Sequence, residues 1–155
     1  MNNVFYYETQ IGKITIIENG KAITHIYFGK VVFEDAHISI ETPLLKKANI
    51  EINEYLIGKR KIFDLPLEPE GTEFQQMVWR KLQQIPYGET CSYKDIAKGI
   101  GNINASRAVG MANNKNPIPI IIPCHRVIGA NGKLVGYAGG LDLKEKLLQI
   151  EGIVL

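Results

Sequence analysis

Scarcity narrows what this chain can be. Among its 155 residues are two cysteines, Cys91 and Cys124, three histidines and one tryptophan. His25 and His37 have no paired Cys/His spacing around them, so they read as structural or surface residues and no metal site is expected. No stretch approaches the roughly 18 apolar residues of a membrane span, which predicts no membrane association. The opening Met1-Asn2-Asn3-Val4 lacks a basic segment followed by an apolar run. That predicts no secretory signal, a cytoplasmic protein and free thiols rather than a bridge. A strong charge of one sign is missing too. Residues 1–69 carry 8 Lys/Arg against 9 Asp/Glu, and residues 70–155 carry 10 against 7. The slight basic excess lies with Cys124, but by itself it does not indicate a polyanion partner.

What is present divides in two. Val4-Phe5-Tyr6-Tyr7, Ile14-Thr15-Ile16-Ile17 and Ile23–Phe28 are β-branched or aromatic runs separated by turn signals at Gly12 and Asn19-Gly20. They predict a meander, with Asn19-Gly20 the clearest hairpin. Pro43 opens a helix with Leu44, Leu45, Ala48, Ile52, Tyr55 and Leu56 on one stripe, and Gly58 ends it. Lys61-Ile62-Phe63 reads as a last strand, and the Pro/Gly connector 64–71 as the boundary. Domains are therefore expected over 1–67 and 68–155. Beyond the connector, short helices are expected. Thr72-Glu73-Phe74-Gln75 has the capping-box form, with Phe74, Met77, Val78 and Leu82 as the apolar face. Ser92 can cap a helix from Tyr93 to Lys98, and Asn104 one from Ala105 to about Asn113. Two short helices around Gly99-Ile100-Gly101-Asn102 outline a helix-turn-helix, which either binds nucleic acid or only packs. A final helix begins at Asp142-Leu143-Lys144-Glu145 and stops at Gly152.

The chemistry is expected at Pro123-Cys124-His125-Arg126-Val127, delivered by the stiff run 116–122. A thiol is a strong nucleophile only as thiolate, and a neighbouring imidazole, carboxylate or local positive charge lowers its pKa. Side chains adjacent in an extended segment point apart, so the chain must turn at Pro123-Cys124, or a water must bridge thiol and imidazole. Spacing alone leaves other readings open. Cys124 could be a buried hydrophobe, His125 a cap or core residue, Arg107 a surface ion-pair partner, and Tyr93 and Tyr137 half-buried aromatics.

Taken together, Pro123-Cys124-His125-Arg126-Val127 within the run 116–123, Ser106-Arg107-Ala108-Val109-Gly110 upstream, and Gly136-Tyr137-Ala138-Gly139-Gly140-Leu141 downstream closely resemble the O6-alkylguanine-DNA alkyltransferases. The resemblance runs through the C-terminal half in order; the N-terminal half agrees in layout. It implies an α+β protein, with a small ribonuclease H-like α/β domain of antiparallel strands and one helix. A mostly helical, winged-helix-like domain carrying the helix-turn-helix would follow. It also implies DNA repair by direct reversal, in which one alkyl group passes from O6 of guanine to the protein's own cysteine. O4-alkylthymine is the second candidate substrate. The implied partner is double-stranded DNA containing O6-alkylguanine, bound by a monomer without a cofactor.

Residue by residue, the resemblance makes Cys124 the alkyl acceptor, His125 the base acting through a water, and Glu151 the carboxylate holding that imidazole. Asn116 ties the active-site turn to the recognition helix. Arg107 enters the duplex where the damaged base has left, with Ala108 and Gly110 allowing close approach to the minor groove, and Tyr93 presses on the adjacent phosphate. Tyr137 walls the guanine pocket and donates a proton at N3, while Val127, Ala138 and Gly139 line that pocket. The residue types suit the reaction. In-line displacement by a thiolate needs a strong nucleophile, a stabilised leaving purine and a base removed from the stack. Two departures stand out. Ala138 replaces a serine of some relatives, leaving only backbone N–H there. No cysteine precedes Cys91, so the structural zinc of some relatives is not expected. A Cys/His hydrolase is the first alternative, but no oxyanion motif supports it. A non-catalytic lesion-binding module is the second, and Cys124 argues against it.

Overall fold

The computed structural model describes residues 2–33 and 37–155. The chain divides into two compact units, 1–70 and 71–155. The first is a sheet unit with one helix and the second is mainly helical, so the architecture is α+β.

In the first unit, β1 (Asn2–Thr9), β2 (Gly12–Glu18) and β3 (Ile23–Phe28) form an antiparallel meander. Asn19 shapes the β2–β3 turn: its Oδ1 accepts from the backbone N–H of Lys21 and Ala22, and Gly20 takes the positive φ of 92° the turn requires. A fourth strand, β4 (His37–Ser39), pairs parallel with β1 and gives the order β3-β2-β1-β4. The sheet is therefore mixed rather than wholly antiparallel, with His37 opening its fourth strand. Because β2 is central, Ile14, Thr15, Ile16, Ile17 and Glu18 are all buried, which hides the period-2 pattern an exposed face would show.

Helix α1 (Pro43–Leu56) packs on β1 and β2 through Leu45, Ala48, Ile52, Tyr55 and Leu56. Pro43 sits in its first turn, and Thr42 caps it by accepting from the N–H of Leu45. Leu44 is only half-buried, whereas Glu51 is buried and accepts from the N–H of Asp64. Lys61-Ile62-Phe63 is not a strand. Ile62 is 79 % exposed and its carbonyl is held by the Arg60 side chain, and among the described residues the segment joins no ladder. Instead Leu67 bridges Ile23, with Ile23 N–H donating to Pro66 O and Glu68 N–H to Ile23 O. These bonds hold residues 66–68 on the first unit.

The second unit is built on α2 (Glu73–Leu82), α3 (Tyr93–Gly99) and α4 (Ser106–Asn114), which pack against one another. Thr72 and Gln75 make a reciprocal capping box at α2, and Ser92 and Asp95 make another at α3. Asn104 does not cap α4. Ala105 holds that position without a side-chain bond, because Asn104 is itself turned by the Oδ1 of Asn102. The α2 core face is Val78, Trp79 and Leu82, while Met77 faces out at 38 % exposure. Trp79 is 1 % exposed and its indole N–H donates to Ala112 O on α4 at 2.9 Å. Gly71 is required beside it, since a Cβ there would lie 2.4 Å from the Trp79 ring. The chain then runs through a buried segment, 116–123, into a 3-10 turn at Cys124–Arg126 and β6 (Val127–Ile128). β6 pairs parallel with β5 (Cys91–Ser92). A loop leads to α5 (Leu141–Ile150), which packs on the 3-10 turn. Among the described residues, no helix is long and apolar enough to cross a membrane.

Candidate active site

The segment leading to Cys124 is fixed at both ends by Asn116. Its Oδ1 accepts from Ile118 N–H at 3.0 Å and its Nδ2 donates to Ile122 O at 2.8 Å. Between those anchors Ile120, 1 % exposed, adopts φ +76°. For a β-branched residue this costs on the order of 1–3 kcal/mol and persists only where the surroundings enforce it. Pro117 and Pro119 remove backbone donors from the same run. The 3-10 turn that follows supplies the bend at Pro123-Cys124 that adjacent side chains need if they are to serve one site.

His125 is fully buried, and its Nε2 lies 2.6 Å from Glu151 Oε2, although Glu151 is 26 residues further on. Contact with a carboxylate places the proton on Nε2 and leaves the lone pair on Nδ1. Burial pushes His125 below the ordinary imidazole value despite the opposing effect of Glu151, so the ring is neutral. Glu151 is reached from several sides. Arg126 donates from Nε to Oε1 at 2.8 Å and from Nη2 to Oε2 at 3.2 Å, and Gly88 N–H donates to Oε1 at 3.0 Å. Burial works to raise Glu151, but the bonds from His125 and Arg126 outweigh it and bring the carboxyl down to about 2. Arg126 also donates to Ile85 O at 2.7 Å. The Pro86-Tyr87-Gly88 turn is thereby part of the site.

The Cys124 thiol departs from expectation. Cys124 is 5 % exposed, and burial pushes its thiol up to about 11, against the lowering effects of the Asn116 side chain and the Lys144 charge. At rest it is a neutral thiol rather than a standing thiolate. A thiolate must be made when a base takes the proton. Among the described residues, Lys144 is the cation whose charge favours it. Its side chain is fully buried on α5, and Nζ donates to the carbonyls of Val127, Val135 and Gly136 at 2.6, 2.9 and 3.3 Å. Among the described residues it has no carboxylate partner. Burial lowers it to about 8, and charge on Cys124 pulls it back up. Ammonium and thiolate therefore favour each other.

The remaining residues separate by place. Tyr93 opens α3, its hydroxyl donates to Val135 O at 2.9 Å, and it lies near enough to Cys124 for charge there to raise its pKa, after the larger effect of burial. Tyr137 is half-buried with its hydroxyl oxygen enclosed. Ala138 is exposed and Gly139 half-buried on the loop before α5, whereas the Val127 side chain is fully buried and its carbonyl is held by Lys144. Arg107 and Ala108 stand exposed on α4. Gly110 is half-buried, and a Cβ there would meet the Tyr93 ring at 3.8 Å, an ordinary contact. Its smallness faces α3 rather than open space.

Sequence reasoning passed over Arg126 and Lys144. A signal for the second was available: Lys144, Leu147, Leu148 and Glu151 share one helical stripe, and a lysine on an apolar stripe needs partners.

Comparison with known proteins agrees over the whole chain. Residues 4–69 match the family model described as the ribonuclease-like domain of 6-O-methylguanine DNA methyltransferase, and residues 73–153 match its DNA binding domain. The chain is 51 % identical over 150 residues to a methylated-DNA–protein-cysteine methyltransferase of Methanosarcina acetivorans, covering 94 % of this chain and 96 % of that one. It is 45 % identical over 160 residues to the constitutive enzyme of Bacillus subtilis, covering 99 % and 97 %. A crystal structure of Mycobacterium tuberculosis OGT in complex with DNA is similar with a TM-score of 0.90 at 42 % identity, covering 96 % and 92 %.

The Glu151 geometry sets a pH dependence. A carboxyl lowered from 4.5 to about 2 in the folded state stabilises the fold fully above 4.5, and that contribution is lost as pH falls through the folded value. Buried neutral His125 adds an acid-side loss of its own. Urea unfolding should therefore give wild type an advantage over Glu151→Gln at pH 7 that shrinks below pH 4.5 and vanishes near pH 2. An advantage independent of pH would contradict this origin.

Proposed function

Since this chain belongs to the 6-O-methylguanine DNA methyltransferase family, we propose that it repairs DNA by moving the alkyl group from O6 of guanine onto Cys124, once per molecule. The observation that carries the reading is the acceptor assembly itself: a buried cysteine adjoining a neutral imidazole that is held by an ionised carboxylate, with a buried ammonium near the sulfur.

The steps follow from those groups. A water relays the Cys124 proton to Nδ1 of His125, and Glu151 and Lys144 offset the two charges formed. The thiolate attacks the alkyl carbon in line, the carbon–O6 bond breaks, and the electron pair leaves with the purine. Tyr137 supplies a proton at N3, and backbone N–H at Ala138 meets the oxygen. The product thioether has no good leaving group, so the protein is spent after one transfer. No cofactor enters this balance.

The base has to leave the duplex to reach a sulfur this deeply set. We assign that task to a helix-turn-helix of α3 and α4 in the minor groove. Arg107 fills the vacated position, Ala108 allows close approach, and Tyr93 presses on the neighbouring phosphate. The domain limits 1–67 and 68–155, a winged-helix-like second domain, a monomeric state and a cytoplasmic setting complete the proposal. Exposure of Arg107 and Ala108 on one helix supports the DNA face. The half-buried Gly110 is better explained as a packing residue beneath Tyr93.

Mass spectrometry after mixing the protein with an O6-methylguanine oligonucleotide should show one methyl group on the Cys124 peptide, and Cys124→Ala should still bind the lesion without transfer. Hydrolysis of a test ester with no adduct would favour the hydrolase reading instead. Lys144→Met should slow transfer by roughly tenfold, the effect of one pKa unit at the thiol, and an unchanged rate would remove Lys144 from the chemistry. Arg107→Ala should weaken capture of duplex lesions more than reaction with free O6-benzylguanine; equal losses would make Arg107 structural.

A further inference from the structure

Asn113 has a position that neither the packing of α4 nor the transfer steps account for. It is 2 % exposed, and its Nδ2 donates to the carbonyl oxygen of Cys124 over a long 3.4 Å. The other half of the amide, Oδ1, is buried without a hydrogen-bond partner among the described residues. The Cys124 carbonyl fixes which way the amide lies, because turning it over would set acceptor against acceptor. A leucine of similar size would pack without burying a lone acceptor. An unmatched acceptor attached to the alkyl-accepting residue points to a donor that arrives with the substrate.

The substrate offers few donors. Alkylation at O6 takes the hydrogen from N1, N3 and N7 are acceptors, and N9 carries the sugar. Only the 2-amino group of O6-alkylguanine keeps N–H. O6-alkylhypoxanthine and O4-alkylthymine have no N–H at all. A hydrogen-bonding group in a binding site discriminates against the analogue that lacks its partner.

We infer that Asn113 is a specificity-determining residue, whose Oδ1 accepts a hydrogen bond from the 2-amino group of the extruded guanine. One amide then does two things: its nitrogen steadies the backbone of Cys124, and its oxygen reads the base. The inference rests on the transfer reaction proposed above and adds the means by which guanine is preferred over alkylated bases without an amino group.

The test compares single-turnover transfer from matched duplexes carrying O6-methylguanine or O6-methylhypoxanthine, for wild type and Asn113→Leu. Methylation of wild-type Cys124 by the guanine duplex checks the underlying reaction separately. The guanine-over-hypoxanthine rate ratio should fall by about tenfold in Asn113→Leu, the worth of one buried hydrogen bond. An unchanged ratio, including equal slowing on both lesions, overturns the inference and leaves Asn113 as a structural residue. If Asn113→Leu does not fold, a crystal structure of Cys124→Ser bound to O6-methylguanine DNA decides. Oδ1 at hydrogen-bond distance from N2 of the purine sustains the inference, and Oδ1 occupied by a water or a protein group overturns it.

Discussion

The second unit depends on a single buried carboxylate. Glu151 receives hydrogen bonds from the Arg126 guanidinium, the Gly88 backbone and the His125 ring. Those partners come from the turn after α2 and from the 3-10 turn, and Glu151 itself ends α5, so one ionised group joins segments far apart in sequence. Such a cluster contributes less to net stability than its bonds suggest, because each charge has been taken out of water. Its value is positional. Removing one member would leave another charge buried and unpaired, so the arrangement admits little drift, and His125 is presented in one orientation with Nε2 already engaged.

The same burial that fixes His125 keeps the Cys124 thiol protonated. A thiol held near 11 is almost wholly protonated at neutral pH, which protects it from oxidants and stray electrophiles that react with thiolate. In the proposed transfer, reactivity then depends on a base and a nearby cation acting together once the substrate is bound. For a protein that can act once, an acceptor that stays inert until its lesion arrives is an economical arrangement. Lys144 fits it: among the described residues its hydrogen bonds go to neutral carbonyls, so its charge is left to act on whatever anion forms beside it.

Local signals in the chain specify structure wherever local chemistry decides the outcome. Pro43 and Gly58 bound α1, Asn19-Gly20 turns the hairpin, and Thr72 and Ser92 cap their helices through their own side chains. The misses occur where distant contacts decide. Lys61-Ile62-Phe63 has strand-like composition, but among the described residues no strand pairs with it, and Ile62 faces solvent. β4 gains its identity only from β1. At Asn104 a favourable cap residue lost its backbone to Asn102. At the site, the cysteine and histidine stood out as types, and the resemblance pointed to Glu151. Arg126 and Lys144 carry no role that their types and spacing alone assign. Only the fold shows them buried, and only burial turns the expected low thiol pKa into a high one.

Ile120 carries a consequence for anyone redesigning this protein. Its left-handed backbone lies between the two anchors supplied by Asn116, so conformational tension and restraint belong to one spring-loaded unit just ahead of the nucleophile. Glycine would relax the torsion, but it would also empty a packed space and enlarge the entropy of the unfolded chain. Changes at positions 116 and 120 should therefore be treated as one design variable rather than two, because the worth of either depends on whether the other remains.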